Sequence, residues 1–303
     1  MRWWSLIILG IVVIAYCTAL VIAVRESTHA NASLALSISN VLDNKLYCGG
    51  TCAWDPPLAD LSVPAQYEDT YSTSVARYCA DLVERAYMTL TGPLQTPKGL
   101  TLVDPLTNTA DGATLPFGAI WSSPGTVWIV YRGTDSGNLK EWMQDFTYAQ
   151  DNTSQKDVYV HAGFLDVYKQ SENKIMRAID KYKPNTIIVT GHSLGAAVAT
   201  VTALSLKAAG HHSVVYNFAS PRVGPGSDCE VDVMIYRHVN TADIIPTMPP
   251  AVFPNFSVPL NPYQYTHCGK ALYFTLNYQS LERNHSLLAY TDAFTKNLYS
   301  IPV

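Results

Sequence analysis

The sequence has few charged residues, no long basic run and no clustered metal ligands. Only 15% of its 303 residues are charged, the formal net charge is −4, and no run of Lys or Arg exceeds two residues. Because a nucleic-acid partner requires a basic stripe, this distribution argues against nucleic-acid binding. No Cys and His pairs stand at metal-ligand spacing, so no metal is expected, and the absence of repeats excludes solenoid and collagen-like arrays.

What the sequence does contain is apolar surface. Hydrophobic residues make up 48% of the chain, which is enough to build a large core and excludes a disordered or fibrous protein. The length fits one large domain or two modest ones, and α/β enzymes often occupy it as a single unit.

The N-terminal segment determines the expected compartment. No charged residue occurs between Trp3 and Val24, and as a helix this stretch would reach about 33 Å, enough to cross a hydrocarbon core of about 30 Å. We predict a transmembrane signal anchor over residues 1–25. The alternative is a cleaved signal peptide, for which Ala30-Asn31-Ala32 offers a small-residue cleavage site. Either reading places the rest of the chain outside the cytoplasm, as a membrane-held or secreted protein.

The cysteines are compatible with an oxidising compartment. Five of the six follow the apolar segment, and an odd number leaves at least one outside an intramolecular disulfide. Cys48 with Cys52 and Cys229 with Cys268 are the candidate pairs.

Apolar residues at helical and strand-like spacings alternate along residues 71–303, which we interpret as one domain. Residues 26–70 are interpreted as a lead-in to it. Strands alternating with helices indicate a largely parallel central sheet covered by helices. Helices are predicted over Ser72–Leu90, Phe164–Tyr182, Leu194–Ala209 and His285–Leu298, and strands over Phe117–Trp121, Val127–Tyr131, Thr186–Thr190, Val214–Phe218, Val233–Val239 and Ala271–Leu276. The stretch with Gly92-Pro93, Pro97 and Pro105 is predicted to be turns.

One motif indicates nucleophilic catalysis. Gly191-His192-Ser193-Leu194-Gly195 matches G-x-S-x-G, follows an apolar strand and opens into a small-residue helix. In a nucleophile elbow, a strained strand–turn–helix bend lifts the serine hydroxyl above the sheet edge, and the helix N-terminus faces a developing oxyanion. The alternative is a serine helix cap flanked by turn glycines.

The serine needs a base, and the base needs an acid to orient it, in the chain order Ser, Asp, His. Asp243 follows a predicted strand at the end where open α/β sheets place their sites, whereas Asp228 and Asp232 precede that strand. A plain turn residue is the alternative for Asp243.

Two histidines follow Asp243 in the chain. His285 comes after the last predicted strand and is expected to reach the active edge, whereas His267 precedes that strand and is not. His192, inside the elbow, is expected to pack against or support the site rather than to act as the base.

Together these motifs resemble the class 3 lipase family, the fungal triacylglycerol lipases and their relatives, over roughly Tyr71 to Leu298. The motifs occur in the family's order: Val130-Tyr131-Arg132-Gly133-Thr134, Trp142…Asp145-Phe146, Val160-His161-Ala162-Gly163-Phe164-Leu165, the elbow, Ala242-Asp243-Ile244-Ile245-Pro246…Pro249-Pro250, and Asn284-His285.

The resemblance implies an α/β-hydrolase fold with Ser193 as nucleophile, His285 as base and Asp243 as the acid that holds the imidazole. It also implies that Thr134 and the Leu194 N–H cradle the oxyanion. Residues 135–146 are expected to form a hinged cover, with the apolar Leu139, Trp142 and Met143 facing ester or lipid. No cofactor is expected, because an acyl-enzyme mechanism requires none.

The expected activity is hydrolysis of acylglycerols or related lipid esters at a membrane or lipid–water interface. Esterase or phospholipase A1 activity would use the same machinery, and a non-catalytic binding module on a hydrolase scaffold is the competing class. Asn284 lies in one of four glycosylation sequons beside the predicted base. A glycan there would crowd the pocket. We therefore expect Asn284 to be unmodified, or the protein to be made where N-glycosylation is absent.

Overall fold

The computed structural model describes residues 70–110, 112–134, 149–152, 159–225, 233–255 and 261–299. The predicted N-terminal anchor, most of the lead-in segment and the predicted cover lie outside these residues. Within the described ranges, no helix is both long and apolar enough to cross a bilayer.

A seven-stranded sheet forms the centre of the described chain. Its strands are β1 (Thr101–Ala110), β2 (Ala113–Ser123), β3 (Thr126–Tyr131), β6 (Thr186–His192), β7 (Val214–Phe218), β8 (Met234–Asn240) and β11 (Lys270–Phe274). The spatial order is β1-β2-β3-β6-β7-β8-β11. The pairs from β3 to β11 are parallel, whereas β1 and β2 are antiparallel to their neighbours. The predicted, mostly parallel sheet is confirmed.

Among the described residues, five helices cover or flank this sheet, and two short hairpins accompany it. The helices are α1 (Thr73–Met88), α2 (Ala162–Tyr182), α3 (Leu194–Ala208), α4 (Leu281–His285) and α5 (Leu287–Thr295), with a 3₁₀ turn at Ile245–Thr247. The hairpin strands are β4 (Gln150–Asn152) with β5 (Tyr159–His161), and β9 (Val252–Phe253) with β10 (Tyr263–Gln264).

The core lies on both faces of the sheet. Successive strand side chains point to opposite faces, so Ile187 and Val189 of β6 belong to the core cluster that includes side chains of α2 and α3, whereas Ile188 belongs to the cluster that includes side chains of α1 and α5. A strand covered on both faces is apolar at nearly every position. This is why Thr186-Ile187-Ile188-Val189-Thr190 could be predicted as a strand from its sequence.

Two local expectations differ from the structure. The turn-rich stretch that includes Pro105 forms β1, which among the described strands lies at the sheet edge, pairs with β2 alone and has two register irregularities. Proline is tolerated there because an edge strand has amide groups that need no ladder partner. The single closing helix predicted from His285 is divided at Ser286 into α4 and α5, and Ser286 has extended backbone angles.

The cysteines in the described ranges have different states. Cys79 is a buried free thiol on α1, in keeping with the expected odd cysteine. Cys268 is disulfide-bonded. Its predicted partner Cys229 lies outside the described residues, as do Cys48 and Cys52, so both predicted pairings stay predictions.

We expect acid to destabilise the fold through His238. Its Nδ1–H donates to the Asn217 carbonyl (3.0 Å), and its Nε2 accepts from the Tyr71 hydroxyl (3.2 Å). Burial lowers the pKa of His238 from 6.5 to about 3, although the bond to Asn217 opposes the shift. As pH falls, His238 therefore gains a proton in the unfolded chain before it does so in the folded chain. The stability that neutral His238 contributes is fully present above about pH 6.5 and is lost as pH falls toward 3.

Between pH 7.5 and pH 5, His238 should account for a loss of about 2 kcal/mol in the free energy of unfolding. His238→Gln keeps one donor and one acceptor but does not titrate, so urea unfolding at the two pH values should show a correspondingly smaller difference. His212→Gln, at an exposed position, is the control. An unchanged pH dependence in His238→Gln would contradict the assignment.

Candidate active site

The elbow lies between β6 and α3. Ser193 has φ 57° and ψ −125°, a left-handed backbone conformation that is strained for a residue with a side chain. The strain is maintained by close backbone packing. A Cβ on Gly191 would lie 2.8 Å from the Ala196 amide nitrogen, and one on Gly195 would lie 2.8 Å from the Tyr131 carbonyl oxygen. Only glycine fits at either position, so the two glycines of the motif allow the bend that exposes the serine hydroxyl.

The predicted base lies at the serine. His285 is the last residue of α4, and its Nε2 is 2.7 Å from Ser193 Oγ. Both side chains are buried. His285 reaches this point because the chain returns to the sheet edge after β11, as its place in the sequence predicts.

The predicted acid lies behind the imidazole. Asp243 follows β8, and its Oδ2 is 2.8 Å from His285 Nδ1. Oδ2 also accepts from the Tyr290 hydroxyl at 2.7 Å, and Oδ1 accepts from the Ile245 amide at 2.9 Å. The carboxylate is fully shielded from solvent, and three hydrogen bonds offset the cost of burying it.

These contacts determine where the protons lie. Since a carboxylate only accepts, Nδ1 of His285 carries the hydrogen and Nε2 offers its lone pair to the Ser193 hydroxyl. Tyr290 remains a donor, because burial, and after it the Asp243 charge, raises its pKa well above the ordinary value. The arrangement can draw a proton from Ser193 and stabilise the imidazolium that results.

Two asparagines hold the acid and base segments together. Asn240 Nδ2 donates to the Asn284 carbonyl (3.0 Å), and Asn284 Nδ2 donates to the Ala242 carbonyl (3.1 Å). The turn that carries Asp243 is thereby joined to the residue that precedes His285.

The predicted oxyanion segment passes against the elbow. A Cβ on Gly133 would lie 2.8 Å from both the His192 carbonyl oxygen and Ser193 Cβ, so this backbone approaches the serine closely. Thr134 comes directly after Gly133 and is half-buried. Leu194 is the first residue of α3, and the amide of such a residue has no acceptor within the helix. Leu194 thus begins the helix of the elbow, and Thr134 follows the residue whose backbone approaches the serine; their roles as oxyanion donors stay predictions.

The alternative base, His267, does not reach the serine. His267 Nε2 is 2.7 Å from the Pro246 carbonyl, to which it donates, and not at the serine. Asp228 and Asp232 lie outside the described residues. Among the described side chains, no group of three or more His, Cys, Asp or Glu could hold a metal ion.

The sequence did not indicate the roles of two tyrosines. Tyr290 contacts the acid from α5, and Tyr87 approaches the elbow from α1, with its hydroxyl oxygen 2.8 Å from His192 Nδ1. Tyr290 stands five positions after the predicted base, outside the spacings of three or four that make helical side chains neighbours, so its local sequence contained no signal. Nothing in the local sequence distinguishes Tyr87 from the other apolar positions of its helix.

The described chain has the α/β-hydrolase fold, with a serine at the elbow. A triacylglycerol lipase whose catalytic centre is described as a serine protease triad has the same fold, with a TM-score of 0.55 and 24% identity. The match covers 69% of this chain and 83% of that one. The family model for lipase (class 3) matches residues 128–253. The similarity to the class 3 lipases that the motifs predict is therefore confirmed.

Similar proteins of known sequence include a fungal lipase and a plant phospholipase. A secreted mono- and diacylglycerol lipase of Fusarium solani is 33% identical over 41% of this chain and 40% of its own length. Phospholipase A1-II 1 of Oryza sativa is 32% identical over 40% of this chain and 39% of its own. The chain thus spans about two fifths of the length of these relatives.

We expect Asn284 to carry no glycan. Its amide nitrogen donates to Ala242 and to Asn277 Oδ1 (3.3 Å), and its Oδ1 accepts from the Tyr278 amide at 2.6 Å. The side chain is buried, so a sugar on Nδ2 would break these bonds and displace His285. Glycopeptide mass spectrometry of protein from a eukaryotic host should find Asn284 unmodified.

The other sequons, at Asn31, Asn152 and Asn255, serve as internal controls for glycosylation in the same sample. An occupied Asn284 on protein that reacts with an active-serine probe would contradict the position assigned to His285.

Proposed function

We propose that this protein is a serine hydrolase that cleaves carboxylic ester bonds of acylglycerols or related lipids. The observation that carries the proposal is the continuous hydrogen-bond chain Ser193–His285–Asp243, with distances of 2.7 and 2.8 Å. A hydroxyl is a poor nucleophile at neutral pH, and a base within hydrogen-bond reach that is itself oriented by a carboxylate is the arrangement that activates it.

The first half-reaction is acylation of the serine. Ser193 Oγ attacks the ester carbonyl carbon while its proton passes to His285 Nε2. Asp243 stabilises the imidazolium and keeps the ring in orientation. The tetrahedral intermediate then collapses, the alcohol leaves with the proton from Nε2, and the acyl group stays on Ser193.

The oxyanion of that intermediate is assigned to Thr134 and Leu194. The Leu194 N–H lies at the N-terminal end of α3, where the helix dipole favours negative charge. Thr134 would contribute its amide and its hydroxyl from the segment that runs beside the elbow. Donors fixed before the reaction are worth more than water because they need no reorganisation.

Deacylation reverses the roles. A water molecule donates its proton to His285 Nε2 and attacks the acyl carbonyl, and His285 then returns the proton to Ser193 Oγ as the fatty acid leaves. In both halves His285 accepts the proton from the attacking group and passes it to the leaving one.

The substrate class is proposed from the relatives and from the apolar cover predicted in the sequence. The fungal relative is a mono- and diacylglycerol lipase and the plant relative a phospholipase A1. We assign acylglycerols as the preferred substrate class. The enzyme would act at a membrane or lipid–water interface outside the cytoplasm. The fungal relative's secreted status and the apolar segment from Trp3 to Val24 support this location.

Covalent labelling separates an enzyme from a non-catalytic binding module. An alkyl fluorophosphonate should modify the purified chain at Ser193, because the probe requires a serine with an operating base. Ser193→Ala should abolish labelling, whereas Ser74→Ala, at an exposed position on α1, should label like wild type. Intact mass measurement and peptide mapping give the readout, and an unlabelled wild-type chain would overturn the proposed function.

A substrate panel tests the lipid assignment. We expect hydrolysis of emulsified triolein to exceed that of a short p-nitrophenyl ester in true solution, because the apolar cover should favour a lipid surface. Fatty acid release is followed by titration, with Ser193→Ala as the blank. Faster cleavage of phosphatidylcholine at its first acyl position would instead favour a phospholipase A1.

A further inference from the structure

Four hydrogen-bonding groups form a second chain beside the serine. The Gly133 amide donates to the Tyr87 hydroxyl oxygen at 2.9 Å. The same oxygen is 2.8 Å from His192 Nδ1, and His192 Nε2 is 2.7 Å from the His285 carbonyl oxygen. The chain therefore runs from the segment that carries Thr134 to the backbone of the proposed base.

Each bond in this chain has one allowed direction. A carbonyl oxygen only accepts, so His192 Nε2 carries the hydrogen and donates to His285. Nδ1 of the neutral ring then accepts, and the Tyr87 O–H must be its donor. The Gly133 N–H in turn donates to the Tyr87 oxygen, so its hydrogen is not available to an oxyanion.

The environment of His192 maintains this protonation state. The ring is buried, tilted against His285 with centroids 4.8 Å apart, and edge-on to Tyr290 at 5.9 Å. Burial, followed by the charge that His285 can carry, lowers the pKa of His192 well below 6.5. His192 thus stays neutral while its neighbour gains and loses a proton.

We propose that Tyr87 and His192 are positioning residues that fix the proposed base and the oxyanion segment relative to each other. The inference rests on the proposed function, because it assigns these side chains a part in that reaction. Neither touches the reacting atoms: Tyr87 acts through Gly133, and His192 through the His285 carbonyl.

Regular secondary structure alone does not hold the segments of His285 and Gly133 in place. His285 is the last residue of the short helix α4 and Gly133 lies beyond the end of β3, so neither is inside a strand or a long helix. Misplacement of a catalytic group by about 1 Å can cost about a hundredfold in rate. Directional bonds from the buried His192 and the half-buried Tyr87 hold both segments to the elbow, which carries His192.

The test measures phosphonylation of Ser193 and hydrolysis of a soluble p-nitrophenyl ester by the full chain. Tyr87→Phe removes a single oxygen, and we expect it to slow phosphonylation about tenfold and to lower kcat with KM changed less than about twofold. Tyr182→Phe, a half-buried tyrosine at the end of α2, is the matched control and should react like wild type.

His192 is tested by a pair of variants. His192→Leu removes both ring bonds and should slow phosphonylation about tenfold to a hundredfold. His192→Gln retains an amide donor and acceptor and should recover at least half of that loss on a logarithmic scale. A packing role alone predicts equal losses in the two variants, which would overturn the inference.

The double variant Tyr87→Phe/His192→Leu tests whether the two residues act through one chain. If they do, it should react within about threefold of the slower single variant, because the chain is already broken; independent effects would multiply. Multiplied effects, or a Tyr87→Phe rate within about twofold of wild type, would overturn the inference.

Two outcomes separate this inference from the function on which it rests. A wild-type chain that does not react overturns the proposed function and this inference with it. A reactive wild type whose Tyr87 and His192 variants are unaffected overturns the inference alone. Should His192→Leu not fold, Tyr87→Phe and His192→Gln decide the matter.

Discussion

The site depends on one close backbone crossing at the end of β6. The strand must turn into α3 within one residue, and Ser193 adopts a left-handed conformation to make that turn. The crossing is possible because Gly191 and Gly195 let their backbones approach at distances that no side chain would allow. Packing of β6 and α3 into the buried core supplies the stabilisation that holds the strained residue in place. The hydroxyl position, the helix dipole and the approach of Gly133 all follow from this bend.

Around the bend, the site is assembled from segments far apart in the chain, and buried polar groups connect them. Asp243 receives bonds from His285, Tyr290 and Ile245. Such groups are costly to bury unless their partners are in place. The network is therefore stable only when every segment has reached its native position, and this dependence gives the side chains a single arrangement. The reactive geometry and the buried hydrogen bonds are two aspects of the same packing.

Much of this arrangement could be predicted because local rules determine it. The parallel strands are covered on both faces, so their sequences are apolar at nearly every position. Such strands can be recognised from a single sequence. The order of strands and helices then assigned Asp243 and His285 to the active edge, since parallel strands end on the same side of the sheet. β1 was wrongly predicted as turns because an edge strand tolerates Pro105, a residue that otherwise indicates a break.

The sequence by itself determined the mostly parallel sheet, the glycine-flanked serine and the chain order of the three side chains that meet there. Each of these depends on the spacing of residues within one strand, turn or helix, or on the alternation of strands and helices along the chain. Both can be recognised because regular secondary structure is periodic. Only the tertiary structure decided that Tyr87 and Tyr290 join the site, that His192 bonds to the His285 backbone and that the Asn284 side chain is enclosed. These contacts join residues from different helices and strands, and their distances follow from how whole layers pack rather than from any local pattern.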